Sequence, residues 1–336
     1  MLRFFKYTFC AALLLSLPTA CKRQSLCSDA GYTASALVEF LIDWGDSNIE
    51  ESQISNVSIY AYPDDGTLPY IKVVGSASSA TLALPAGDYS LLLFNEFVED
   101  VSGVTFFDID SFSLFSAQVT ESLSADDLYY EIQEDQIVSQ TLEAMAAWQL
   151  EGFTVSEEAV QCSYCDEELS DELTIIVEAA PTPRTTPCVI ELGVENLDNA
   201  AYVEVVVVGL ASAVTMVSGE RSAVADAEVL YSTTLSQFTY SSGSGSDGDG
   251  VAWGSLNTFG KLPSEDQTYQ VIINVVLSSG TLSTFTRDVT AQILDQDNSG
   301  LYIDLTSDED SISLPAATSS GFGVESWDDN ERVDLL

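Results

Sequence analysis

Apolar residues along this chain recur in short runs of two kinds, and both are strand patterns. In the first kind apolar positions alternate with small or polar ones, as at Leu82 and Leu84; Leu37-Val-Glu-Phe-Leu-Ile-Asp-Trp44 and Val57-Ser-Ile-Tyr-Ala-Tyr62 are further strand-like runs. A period of two is what a half-buried strand requires. In the second kind the run is continuously apolar, as in Leu91-Leu-Leu-Phe94 and Val205-Val-Val-Val208, which predicts strands covered on both faces. Thr81–Asn95 joins the two kinds. Leu82 and Leu84 alternate with small residues, Pro85 withdraws a ladder donor, and Gly87 is placed to supply a positive φ. The stretch predicts a hairpin at the heart of a β-sandwich.

Further strands are predicted at Ile71–Val74, Val104–Phe115 and Leu173–Val177, with Pro63-Asp-Asp-Gly66 as a turn. In the second half they fall at Val189–Leu197, Tyr202–Leu210, Leu301–Leu305 and Ile312–Leu314. Tyr269–Leu277 and Leu282–Val289 form a hairpin about Ser278-Ser-Gly280. Within Ser124–Leu150, Ser124–Tyr130 reads as a helix start or turn, and Thr141–Leu150 contains helix formers and reads equally as helix or strand. Glu151–Ser170 reads as an acidic loop and Ser241–Gly250 as a solvated one. No short period recurs, which argues against a solenoid. The expected architecture is all-β, two β-sandwich domains in tandem over 34–178 and 188–336. The Pro-rich stretch 179–187 between them is the expected linker.

The first twenty residues stand apart. Arg3 and Lys6 precede an apolar segment, Phe9–Leu17, followed by Leu17-Pro-Thr-Ala20 and Cys21, the order of a signal peptide over 1–20. Ala20-Cys21 fits a lipoprotein site with Cys21 acylated; plain secretion is the other reading. Residues 21–33 then form a lipidated tether. The apolar segment is shorter than the roughly 20 residues that span a bilayer.

Composition narrows the function. The chain of 336 residues has a formal net charge of −43 and no histidine. Such a field repels phosphate backbones, so nucleic-acid binding is excluded on electrostatic grounds. The commonest general base and zinc ligand is missing, and no pair of acids is singled out for catalysis, so a non-enzymatic protein without cofactors is expected. Cys10 lies in the leader. Cys27, Cys162, Cys165 and Cys188 are possible disulfide partners in an exported protein, with connectivity open. Asp295-Gln-Asp-Asn-Ser-Gly300 carries the first half of a calcium loop, making Asp295, Asp297 and Ser299 a weak candidate. Thr306 stands where the bidentate acid is needed, and a plain turn is the main reading. Asp247-Gly-Asp-Gly250 is a weaker case. Trp44, Trp253 and Trp327 are the candidate platforms for a bound glycan.

Several pieces carry a family resemblance. Leu84-Pro-Ala-Gly-Asp-Tyr89 ending at Phe94-Asn95, Asp127-Leu-Tyr129, Phe259-Gly260, Asp288-Val-Thr-Ala-Gln-Ile293, Gly321-Phe-Gly-Val324 and Trp327 occur in an order and spacing that resembles the fimbrial anchor lipoproteins of the Bacteroidetes, the FimB-type anchors of major and minor fimbriae. The resemblance implies transthyretin-like sandwiches, a palmitate-type lipid on Cys21, and an outer-membrane, surface-exposed position. It implies fimbrial subunits as partners, joined by β-strand addition, with the chain as anchor or tip subunit. Pro18 in the lipobox and Lys22-Arg-Gln24 after Cys21 depart from the family pattern. An outer-membrane glycan-binding lipoprotein is the alternative.

Overall fold

The computed structural model describes residues 35–96, 98–99, 101–120, 136–160, 174–224, 228–240 and 249–316. The Asp127-Leu-Tyr129 and Gly321–Val324 pieces, Cys21, Cys27, Cys162, Cys165, Asp247 and Trp327 lie outside them. The described part is all-β. The strands of the first half are β1 (Ala36–Ile42), β2 (Val57–Pro63), β3 (Tyr70–Val74), β4 (Ser79–Leu84), β5 (Gly87–Asn95), β6 (Val104–Phe107), β7 (Ser116–Val119), β8 (Gln136–Ser139), β9 (Ala146–Val155), β10 (Ile175–Ala179) and β11 (Thr182–Pro183). Those of the second half are β12 (Thr186–Glu195), β13 (Ala200–Val208), β14 (Ala213–Thr215), β15 (Arg221–Ser222), β16 (Glu228–Thr234), β17 (Gln237–Tyr240), β18 (Gly250–Thr258), β19 (Gln270–Leu277), β20 (Leu282–Asp288), β21 (Leu301–Leu305) and β22 (Ile312–Ser313). No described helix is long and apolar enough to cross a membrane.

Five sheets stack into layers. The order β10-β1-β4 forms a small outer sheet over β11-β9-β5-β2-β3. Alternation decides which side each residue covers. On β5, Tyr89, Leu91 and Leu93 join Val38 and Phe40 of the outer sheet in one core. Leu92 and Phe94 point the opposite way, onto Phe115 and Ala117 of a third layer, β15-β14-β7-β6. The continuous apolar run thus reports burial on both faces, as its pattern requires.

The expected hairpin is not one. β4 pairs with β1 in the outer sheet, whereas β5 pairs with β2 and β9 in the next sheet down. Pro85–Ala86 therefore carries the chain between layers. The corner is fixed by Tyr89, whose hydroxyl donates to Pro85 O at 2.9 Å. Gly87 is not among the glycines with positive φ. A proline at a turn marks a change of direction, but a crossing between sheets uses the same residues as a reversal within one.

Where the undecided stretch is described its elements are strands, Gln136–Ser139 as β8 and Ala146–Leu150 opening β9, which extends through Val155, so the loop begins later than its acidity suggested; 124–135 lie outside the described residues. Opposite the register shift between Tyr89 and Leu91, β9 carries one extra residue, and Gly152 at φ 67° absorbs it as a bulge. Val104–Phe115 is a strand only as far as Phe107, after which Asp108 turns the chain with φ 53°.

The second half is a sandwich of β17-β18-β12-β21 on β20-β19-β13-β16-β8. Cys188, Ile190 and Leu192 of β12 meet Val203, Val205 and Val207 of β13, and this core runs on without a break into that beneath β5. The β19–β20 hairpin forms as expected, with Gly280 at φ 83°. Gly260 sits at φ 86°, and a Cβ there would lie 2.3 Å from Asn298 Oδ1, so only glycine closes this turn. β8 comes from the first half of the chain yet pairs in parallel with β16, Gln136 opposite Glu228 and Ser139 opposite Tyr231. The Pro-rich stretch is likewise built in: β11 pairs with β9, and Pro187 lies within β12.

Candidate docking edge

β3 closes one side of its sheet and pairs there with β2 alone, Tyr60 opposite Ile71 and Ser58 opposite Val73. The sequence places it by a turn with a definite chemistry. Asp65 Oδ1 accepts from the Thr67 N–H at 2.9 Å and from its hydroxyl at 2.7 Å, while Gly66 takes φ 77°. Those two bonds hold the Asp65 carboxyl below the usual carboxylate range. Ring contact between Tyr70 and Tyr89, with centroids 6.1 Å apart, ties the strand to β5.

What β3 presents is unusual for a sheet margin. Ile71 is 48% exposed, Tyr70 39% and Val73 36%, and Leu68, just before the strand, is 72% exposed. Ile71 and Val73 share the face of Tyr60, but the third layer does not reach them. Edge strands are commonly protected by charge, bulges or covering segments. Here a single cation, Lys72, stands between the apolar residues, and no described strand pairs with the outer margin. At the far end of the molecule β20 is also an edge. Its outward row beyond Leu282 is Thr284, Thr286 and Asp288, which suits water.

The other described cations are spent on the fold. Arg184 is 5% exposed and directs its guanidinium at backbone oxygens: Nε to Met216 O at 2.6 Å, Nη2 to Val217 O at 3.0 Å and Nη1 to Thr182 O at 3.0 Å. Burial, then the neighbouring Arg221, pull it down to about 10. Arg221 donates to Phe259 O, and Arg287 to Asp310 O and Ser311 O. The expected junction is thus stapled, and the sequence signal was a lone arginine among prolines in an acidic chain.

The candidate calcium loop holds a lysine. Lys261 Nζ donates to Leu294 O at 2.9 Å and to Gln296 O, so carbonyls of the loop face an ammonium. Asp297 accepts from Ser299, whose hydroxyl and N–H, helped by Lys261, hold its carboxyl below the usual range. Asp295 makes no bond to either through its side chain; its N–H donates to Ala291 O. Among the described residues no three of His, Cys, Asp and Glu gather as metal ligands.

Cys188, expected among the disulfide partners, is a free thiol with no exposure, packed inside the sandwich on β12. Burial pushes it up to about 12. Its folded value lies above the unfolded one, so its contribution is present below pH about 9 and is lost as pH rises toward 12. In a variant with the other cysteines replaced by serine, Cys188 is expected to resist a thiol reagent at pH 8 until urea unfolds the chain. Labelling of the native protein within minutes would contradict this burial. Trp44, a candidate glycan platform, is instead buried at 6% exposure and donates its indole N–H to Ala77 O at 2.6 Å. Trp253 stands half-buried on β18.

A family model described as a domain of unknown function, DUF5119, matches residues 20–232. No curated protein matches the chain. Among solved structures, a candidate adhesin from Bacteroides ovatus is 15% identical, with 89% of this chain and 98% of that chain covered at a TM-score of 0.56. The fimbrial anchor protein Mfa2 from Porphyromonas gingivalis is 12% identical over 80% and 89%, at 0.44. A fimbrial assembly protein from Parabacteroides distasonis is 12% identical over 80% and 90%, at 0.38. The Bacteroides ovatus likeness shows a shared fold.

Proposed function

This chain belongs to the DUF5119 family, and from that premise we propose that it is a non-enzymatic cell-surface subunit of a fimbria, an anchor or accessory component. In this reading the two halves are transthyretin-like sandwiches. Cys21 carries the lipid that holds the chain at the outer membrane, and fimbrial subunits are its partners. The observation that carries the reading is the uncovered margin of β3. A strand from a neighbouring subunit adds there by backbone hydrogen bonds, covering Ile71 and Val73 with its own apolar side chains. A strand bonded along its whole length resists pulling, because its bonds must break together and depend little on side-chain identity. The solved fimbrial anchor and adhesin structures support the class of function through fold.

Two tests bear on it. Metabolic labelling with a fatty-acid analogue is expected to mark the wild type and not Cys21→Ala, and fibres on cells carrying Cys21→Ala are expected to be lost or shed. Unlabelled wild type with undisturbed fibres would remove the anchor reading. Val73→Pro with Ile71→Asp, both on the exposed margin, is expected to leave the melting temperature within about 3 °C while abolishing fibre incorporation. Normal fibres built with that variant would sink the choice of edge.

A further inference from the structure

A second feature lies at the open side of the second-half sandwich, where β16 leaves one sheet and crosses toward β17 in the other. A cleft of about 400 Å³ opens there between β13, β16, β18 and the segment after β8, within the size range of small-ligand sites, about 300–1,000 Å³. Its construction is specific. The segment Gln140–Leu142 crosses from one sheet to the other and is pinned to β18. Asn257 N–H donates to Thr141 Oγ1 at 2.8 Å, and Leu142 N–H donates to Asn257 O at 3.0 Å.

Three properties of the lining point to one ligand class. Trp253 gives it an aromatic wall, and its indole N–H, unlike that of Trp44, has no acceptor among the described residues. Glu204 lies in the lining at only 1% exposure, its carboxyl accepting from Ser232 Oγ at 3.2 Å and Asn274 Nδ2 at 3.0 Å; Thr284 in turn donates to Asn274 Oδ1 at 2.9 Å. This relay fixes the acid's direction. The remaining side chains are hydroxyls and amides, and those of Gln140, Ser236 and Gln237 make no hydrogen bond among the described residues. A pyranose ring suits this combination: an aromatic plane for its C–H face, and hydroxyls and amides that both donate and accept, set against a buried acid that holds its neighbours in place. The buried acid, in a chain of net charge −43, selects against sialylated or sulfated sugars.

We propose that this cleft binds a neutral saccharide, one ring stacked on Trp253 and its hydroxyls met by the side chains of Gln140 and Gln237. The site is remote in sequence from β3 and rests on its own observations, so it stands or falls apart from the fimbrial reading. The test is binding of the full mature chain to an array of neutral, sialylated and sulfated glycans, followed by titration of the best neutral glycan. Wild type is expected to retain neutral glycans. Trp253→Ala should weaken the affinity about tenfold or more, with Trp253→Phe recovering part of it. Gln237→Ala should weaken it too, and Trp253→Ala should melt as the wild type does and still enter fibres. Absence of any neutral ligand, preference for anionic glycans, or unchanged binding by a folded Trp253→Ala protein would each overturn the assignment.

Discussion

Arg184→Met is expected to lower the stability of the folded protein by roughly 3–5 kcal/mol, more than any surface change in the molecule. Methionine keeps the length and the apolar stem but removes every donor. The carbonyls of Met216 and Val217 would then lie without a partner where water has little access. Each unpaired buried carbonyl carries a penalty of about 1–3 kcal/mol. The guanidinium itself is desolvated at some expense, as its lowered value shows, which is why the net loss stays below the sum of the bonds. In urea the midpoint should fall by about 1–2 M. Arg184→Lys should recover less than half of that, because an ammonium cannot span carbonyls spread around a planar fork. A midpoint unmoved by Arg184→Met would mean that water re-enters the junction freely.

Phe94→Ala should rank second, at roughly 3–5 kcal/mol. Phe94 has no exposure, and its ring sits against Tyr60, Phe106 and Phe115 at centroid separations of 5.8, 5.8 and 5.7 Å. Those rings come from β2, β6 and the turn before β7, so the cavity would open between two sheets, and neither can collapse without moving the other. Phe238→Ala on β17 is the control. That ring is 40% exposed, and its loss should register at under about 1 kcal/mol. Hydrogen exchange should localise the Phe94→Ala damage to β6 and β7. Protection lost equally across β19 would show instead that the cores fail as one unit.

The reading of the chain succeeded where the deciding contacts are a few residues apart. Leu91–Phe94 declared a doubly covered strand because burial on both faces leaves no polar position, and β5 obeys that. Val206, with Val138 and Leu230 on its outer side, does the same for β13. The reading failed where partners come from afar. Nothing near Pro85 tells whether β5 returns to β4 or crosses to a second sheet; that depends on β9, some sixty residues on. Asp297 and Ser299 announced a turn correctly, but the lysine lying against the loop's carbonyls comes from position 261. Trp44 and Cys188 carry no local mark of burial. The β3 margin was legible as strand and turn. Its lack of a neighbour is a property of the whole sheet and belongs to no single residue.

The pairing of β8 has a consequence for how the protein comes to be made. Gln136–Ser139 leaves the ribosome, and enters any export channel, before the β16 it lies against has been synthesised. The leading portion must therefore travel with one ribbon unmatched until position 231 has followed. Fragments cut at the prolines would strand that ribbon on the wrong piece. Co-expressed halves, by contrast, should find each other and reassemble.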